Sequence, residues 1–369
     1  MITDSMHEVV IIGGGIAGLS AANHLVDVGL RPLLIEMGSY PHHKVCGEFF
    51  SPECVSALER WGVQFATTIT KARFVTGKAE LRFDLPAHPL GLSRFAIDLV
   101  LATRVRDRGG IVVENTNVFS LKAPADLGND YFEISLASGE VVRAQQVIIA
   151  TGRHSAFAQK HWQPFPVGPT KYLGIKMHFT NLDVDNWVEL YITQGAYLGV
   201  SMVENGTTNV ACLAQTARVQ QAGGPEKFMQ QLLADRTSSP LLAQRFAKAT
   251  PVFERWVTCG APPFGTRKVP HIPGMYFAGD VYGAISPLCG DGLAMAATSG
   301  IMAADFLARS DWAGFHRGWK ARYHRRLWVG GLLQHALLSP KLARCIIKIG
   351  ATIPLLPKLM FRLTRERAS

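Results

Sequence analysis

The stretch "EVVIIGGGIAGLSAANHLVDVGLRPLLIE", Glu8 to Glu36, leaves this chain few folds to choose from. Val9–Ile12 is a short apolar run of the strand kind. Gly13, Gly15 and Gly18 follow in a G-x-G-x-x-G spacing. A helix is predicted from Ile16 to about Val28, with Gly29 where a left-handed cap belongs. Pro32–Glu36 reads as the next strand. The first glycine permits a tight turn, the second lets the backbone approach a pyrophosphate, and the third lets the helix pack on the strand. Ala17 sits among them at the positive end of the helix dipole, where phosphates bind. Glu36 ends the second strand, placed to bond both hydroxyls of a ribose and to repel a 2′-phosphate. The unit predicts a Rossmann-like α/β domain that binds FAD or NAD rather than NADP.

A second signal selects between these two. "MYFAGD" puts Asp280 just after a buried strand, and "PLCGDGLAMA" follows at once. A carboxylate at Asp280 can hold the ribityl hydroxyls of a flavin. Pro287, Gly290, Gly292 and Leu293 open a helix whose N-terminal amides would face the pyrimidine edge of the ring and stabilise negative charge there. The expected cofactor is therefore FAD. No second G-x-G-x-x-G occurs. NAD(P)H, the expected external donor, would bind transiently at the flavin face, or a separate reductase would supply the electrons.

At 369 residues the chain exceeds what one core usually supports. "ARFVTGKAELRFDL" reads as a hairpin around Gly77, and "SRFAIDLVLATRVRDRGG" as an amphipathic helix. The helix at Pro52 takes Ser51 as its N-cap. "EVVRA" and "QQVIIATG" read as separate strands, and 171–213 as an antiparallel sheet. Helical stretches are expected near 225–235 and 239–248, and the tail reads as helices broken by Pro340, Pro354 and Pro357. The expected architecture is α/β: a Rossmann-like FAD-binding domain with an inserted antiparallel-sheet substrate domain and a helical C-terminal tail. FAD-binding segments are assigned to 1–70, 91–155 and 270–310, the substrate domain to 71–90 and 156–269, and a basic helical segment to 311–369.

Six scattered cysteines without a CxxC pair argue against a disulfide framework and a metal site, and for a reducing, cytoplasmic compartment. The stretch before Val9 carries Asp4 and Glu8 and does not read as a signal peptide. No run of 18 apolar residues suggests a spanning helix. The net charge of +10 is concentrated: Trp312–Ser369 holds twelve Lys/Arg against Glu366, and the rest of the chain is close to neutral. The tail is also rich in Leu, Ile and Trp, and no nucleic-acid motif is present, so a membrane surface is the better partner, at the inner face of the membrane. Trp312, Trp319 and Trp328, with Arg317, Lys320, Arg322, Arg325 and Arg326, predict an aromatic and basic surface helix.

Together these residues resemble the superfamily of FAD-dependent group A monooxygenases and geranylgeranyl reductases, whose fold is typified by p-hydroxybenzoate hydroxylase. The likeness covers about residues 7 to 310. It includes the three glycines, Glu36, "KVCG" at 44–47, Arg94 and Asp98 in "SRFAID", Gly279–Asp280, Pro287 and Gly290/Gly292. The "KVCG" and Arg94 pieces point to the reductase side. The resemblance implies that the cysteine loop lies against the isoalloxazine and that Lys44, Cys46, Gly47 and Arg94 belong to the cofactor shell. Thr151–Gly152 stands where the monooxygenases carry Asp-Gly. "AYLGVSM" stands where isoprenoid reductases line their substrate cavity, so Tyr197, Gly199 and Ser201 are cavity candidates. The WxWxIP signature of the flavin halogenases is missing, which argues against halogenation.

The expected activity is oxidation–reduction of a hydrophobic or lipid-like substrate of polyketide, phenolic or isoprenoid type. Two routes stay open: hydroxylation through a flavin hydroperoxide, or double-bond reduction. Cys46 is the catalytic candidate, as a proton donor in the second route. Rival readings are a quinone-linked electron-transfer dehydrogenase and a non-catalytic, membrane-associated flavin-binding protein. His42 and His43 read as solvated loop residues.

Overall fold

In chain order, β1 (Met6–Ile12) leads through α1 (Ile16–Asp27) to β2 (Leu33–Ile35), and α2 (Pro52–Arg60) follows. The hairpin β3 (Lys71–Thr76) and β4 (Ala79–Asp84) precedes α3 (Arg94–Asp107). Next come β5 (Ile111–Val113), β6 (Val118–Lys122), β7 (Phe132–Leu136) and β8 (Val141–Ile149). The antiparallel run is β9 (Tyr172–Thr180), β10 (Trp187–Thr193), β11 (Ala196–Met202) and β12 (Thr208–Gln215), joined later by β13 (Val257–Ala261). The chain closes with β14 (Met275–Phe277), α4 (Gly292–Ala308), α5 (Trp312–Leu337), α6 (Pro340–Thr352) and α7 (Leu355–Leu363). This computed structural model describes residues 5–153, 156–162, 170–235, 240–261, 264–353 and 355–365.

The first sheet runs β5-β2-β1-β8-β7-β6, with β14 beside the second half of β8. Pairing is parallel from β5 to β8 and for β14, and antiparallel for β6 and β7. β1 is apolar and buried from Val9 to Ile12, where both faces are covered. On one face α1 and α4 pack through small residues. A Cβ on Gly300 would stand 2.1 Å from Ala17 O, and one on Gly279 2.9 Å from Ala17 Cβ. That closeness explains the Ala- and Gly-rich composition of α4.

The second sheet runs β9-β12-β11-β10-β3-β4, with β13 and the short strand Thr250–Pro251 also on β9. The early hairpin thus completes a sheet built mainly from residues a hundred positions later, through the parallel pair β3–β10. One face carries Ile175, Met177, Leu198, Val200, Val210 and Cys212, buried against the helices Thr216–Gln221, Pro225–Ala234 and Pro240–Phe246. The opposite face, given by the register, carries Lys176 and His178, then Asn209 and Ala211, then Tyr197, Gly199 and Ser201.

Several local expectations change. "EVVRA" and "QQVIIATG" form one strand, β8, with β7 on its first half and β14 on its second. Ser51 stands at the N-cap position of α2, yet its side chain does not cap the helix; it donates to Gly290 O (3.3 Å) and accepts from Arg365 Nε (3.1 Å). Pro340 starts α6 and Pro357 lies in the first turn of α7, where a missing N–H costs nothing. Pro354 lies outside the described residues. The basic aromatic helix is no uniform surface: Trp319 and Arg326 are fully buried, and of the three tryptophans Trp328 alone is strongly exposed.

Candidate cofactor and substrate site

The glycine turn divides its tasks among three residues. Gly13 has φ +106°, and its N–H donates to Ile35 O (2.8 Å), adding a last bond to the parallel β1–β2 pair before the chain turns into α1. A Cβ on Gly18 would lie 1.9 Å from Gly13 O, which makes this glycine a packing requirement. A Cβ on Gly15 would meet nothing nearer than Arg94 Nη2 at 3.9 Å. Space therefore opens in front of the α1 N-terminus, whose first turn has neither a side-chain cap nor an acid. Uncapped amides beside an open space suit a pyrophosphate. Glu36 is buried at the end of β2, where its carboxylate accepts from the amides of Gly14 and Gly38. Tyr40 fixes the same turn by donating to Gly14 O (2.6 Å).

The second loop approaches from the other side of α1. Gly279 has φ +72° and donates its N–H to Ser299 Oγ (2.9 Å). Asp280 pairs with Arg153 Nε at 2.7 Å and its side chain stays 24% exposed. Pro287–Cys289 forms a single 3₁₀ turn, ended by Gly290 at φ +64°. α4 then starts at Gly292, with Leu293 buried. Asp291 precedes it but caps nothing, because its carboxylate turns to the buried Arg326. Two uncapped helix N-termini, a half-open Asp280 and the space at Gly15 are what a flavin dinucleotide needs from a chain, so the residues fit FAD.

The loop 42–50 bridges these elements and the second sheet. Val45 covers Gly174, where a Cβ would stand 2.8 Å from Val45 Cγ1. Cys46 O accepts from Asn209 Nδ2 (3.0 Å). Lys44 Nζ binds Asp98 Oδ2 (3.1 Å), and Asp98 also takes both arms of Arg94 (2.7 and 2.6 Å). Gly47 has open space around it. Glu48 adopts φ +53° and is wholly buried. Its carboxylate accepts from Arg94 N (2.7 Å), His178 Nε2 (2.7 Å) and Lys176 Nζ. Burial alone would raise its pKa; Lys176 and His178 outweigh that and hold it below the ordinary value. The loop is therefore clamped to the sheet by a buried charge cluster.

Most of the predicted cofactor residues outside the 42–50 loop fall into two groups. Gly13, Gly15, Ala17, Gly18, Glu36 and Arg94 surround the α1 turn, and Pro287, Gly290, Gly292 and Leu293 surround the α4 start. A Cβ on Gly290 would stand 3.1 Å from the Phe49 ring, so the second group touches the end of the 42–50 loop. Tyr197 stands beside Ser286, Leu288 and Cys289, and burial raises its pKa. Gly199 faces Ala211 and Ser201 faces Asn209, leaving a strip of small side chains beside Lys176. Cys46 is partly buried, and burial raises its thiol pKa against the opposing pull of Arg94.

Sequence reasoning missed Glu48 as a clamp, and missed Lys176, His178, Asn209 and Arg153. One signal was present: Lys176 and His178 lie two apart on a largely apolar strand, so an ammonium and an imidazole enter one dry face and require a partner. His43 is also no solvated loop residue. It stacks on Phe95 (4.7 Å between ring centroids) and packs on Phe253 (4.2 Å).

This fold and this site define an FAD-dependent oxidoreductase. The chain belongs to the FAD binding domain family, whose model matches residues 6–309. It is 24% identical over 351 residues to the digeranylgeranylglycerophospholipid reductase of Methanocaldococcus jannaschii, covering 88% of this chain and 85% of that protein. It is 29% identical over 172 residues to the menaquinone reductase of Mycobacterium tuberculosis, over 43% of this chain and 41% of that protein. Among solved structures, a geranylgeranyl bacteriochlorophyll reductase-like protein from Thermoplasma acidophilum superposes with a TM-score of 0.77 at 20% identity, covering 94% and 92% of the two chains. A flavin-dependent brominase superposes with 0.78 at 15% identity over 98% and 93%, a likeness of fold alone. Among the described residues, no helix is long and apolar enough to cross a membrane.

Proposed function

We propose that the chain reduces a carbon–carbon double bond in an apolar, lipid-like substrate, with NAD(P)H as the external donor. One observation carries the reading: an apolar pocket ends at the flavin loop. Phe74, Leu81 and Phe83 wall it from β3 and β4, and Ile346, Met360 and Phe361 from α6 and α7. Leu288 and Cys289, next to Gly290, also line it. Such a wall selects hydrocarbon over polar substrate. The reductase names of the two relatives support the same direction.

When bound and reduced by that donor, FAD would supply a hydride to one alkene carbon. The neighbouring carbon then needs a proton. Cys46 holds one: burial keeps its thiol protonated at neutral pH, and the thiolate left after donation would lie near Arg94 and Lys176. Glu48 positions that thiol by fixing the loop, and Asn209 holds its carbonyl. Tyr197, Gly199 and Ser201 lie on the sheet face that Asn209 joins to this loop.

The test is anaerobic incubation with NADH or NADPH and a panel of polyprenyl lipids, read by mass spectrometry. A gain of two hydrogens is expected. A product that needs oxygen and gains one oxygen atom would instead assign hydroxylation.

A further inference from the structure

We propose that the outward faces of α5, α6 and α7 dock this protein on an anionic membrane surface. These helices, with Ile353 between α6 and α7, hold eight of the seventeen large exposed apolar side chains of the described residues: Trp328, Leu332, Leu342, Ile349, Ile353, Leu355, Leu359 and Leu363. Their spacing is helical. Trp328 and Leu332 are one turn apart; Leu342, Ile349 and Ile353 follow at seven and four; Leu355, Leu359 and Leu363 repeat at four. Each helix thus turns one apolar stripe outward while another packs inward, with Ala343 and Ile347 of α6 buried. Leu355 is 73% exposed and Trp328 63%.

Charge identifies the occupant. The described residues of 312–365 contain no Asp or Glu. Lys341, Arg344, Lys348 and Arg362 are exposed, and neither they nor Lys358 forms an ion pair with a described residue. Lys341, Lys348, Lys358 and Arg362 each directly precede one of the exposed apolar residues. An apolar stripe edged by cations enters the headgroup boundary of an anionic bilayer and leaves its ammonium groups among the phosphates. A second copy of this chain is a poor occupant, because a two-fold interface would set the same unpaired cations against each other. Nucleic acid would satisfy the charges and leave the stripes in water.

The face is also held in place. Arg365, just past α7, donates to Ser51 Oγ (3.1 Å), Cys289 O (3.1 Å) and Phe361 O (3.1 Å), which ties the end of the tail to the flavin loop. The same two helices, α6 and α7, roof the apolar pocket. Docking would therefore set a hydrocarbon-lined entrance against the bilayer.

Binding is read without turnover, so its outcome is separate from the reductase reading. The FAD-loaded full chain is sedimented with vesicles of phosphatidylcholine alone or with phosphatidylglycerol added. Binding is expected to the anionic vesicles, to fall with salt, and to quench Trp328 when the acyl chains are brominated; W328F loses that quenching while still sedimenting. The triple variant K341Q/R344Q/K348Q should bind on the order of a hundredfold more weakly while keeping its bound FAD. L355D/L359D, also read with FAD retained, should lose the salt-resistant part of binding. Equal binding to both vesicle types, wild-type binding by the triple variant, or a dimer that buries Trp328 and binds neither vesicle would overturn the proposal.

Discussion

A carboxylate at positive φ inside a dry interface survives only with partners, and Glu48 has three. Lys176→Met should cost about 3–5 kcal/mol by chemical denaturation, because it strands the charge. The double change K176M/E48Q should recover part of that loss; a cost under about 1 kcal/mol for the single change would contradict the clamp. The pH dependence follows from the depressed pKa. Stability from Glu48 is complete above its unfolded value of 4.5 and lost as pH falls through the lower folded value. Wild-type protein should therefore lose stability more steeply than E48Q below pH 4.5. At Cys46 the shift is upward, so alkylation by iodoacetamide should stay slow at neutral pH and speed up only above the ordinary thiol value of 9.0. Fast reaction at pH 7 would reveal a thiolate and remove the proton-donor role.

At the scale of elements, the β1–α1 turn separates folding from binding. Gly18→Val should fail to fold, since its Cβ would overlap Gly13 O. Gly15→Val should fold, as judged by circular dichroism, and lose its flavin spectrum, since its side chain would fill the open space. FAD retained by Gly15→Val would move the pyrophosphate elsewhere. This turn was readable because its demands are local: glycine where φ is positive or a backbone approaches, apolar residues at strand and helix periods. The α4 start was readable for the same reason. The Glu48–Lys176 contact joins residues 128 positions apart, and no local pattern encodes which acid meets which base. Ser51 carries the same lesson at short range, since a cap-forming residue at a cap position was taken instead by Gly290 and Arg365. Trp319 and Trp328 likewise share one helix and one composition, and only packing separates core from surface.

For the whole molecule, two sheets meet across one loop. The parallel sheet presents the glycine turn and the α4 start, and the antiparallel sheet presents a wall of small and polar residues. The loop 42–50 lies between them, and the tail helices close the apolar side. On the proposed reading, this arrangement gives the flavin an entrance made of hydrocarbon side chains. The most direct test is to reduce the bound FAD anaerobically with dithionite or light, mix it with a polyprenyl lipid, and follow the flavin spectrum. The account predicts that the oxidised spectrum returns without oxygen, with one saturated double bond formed per flavin. A spectrum that stays bleached across the lipid panel until oxygen is admitted, with oxygen then found in the product, would contradict it.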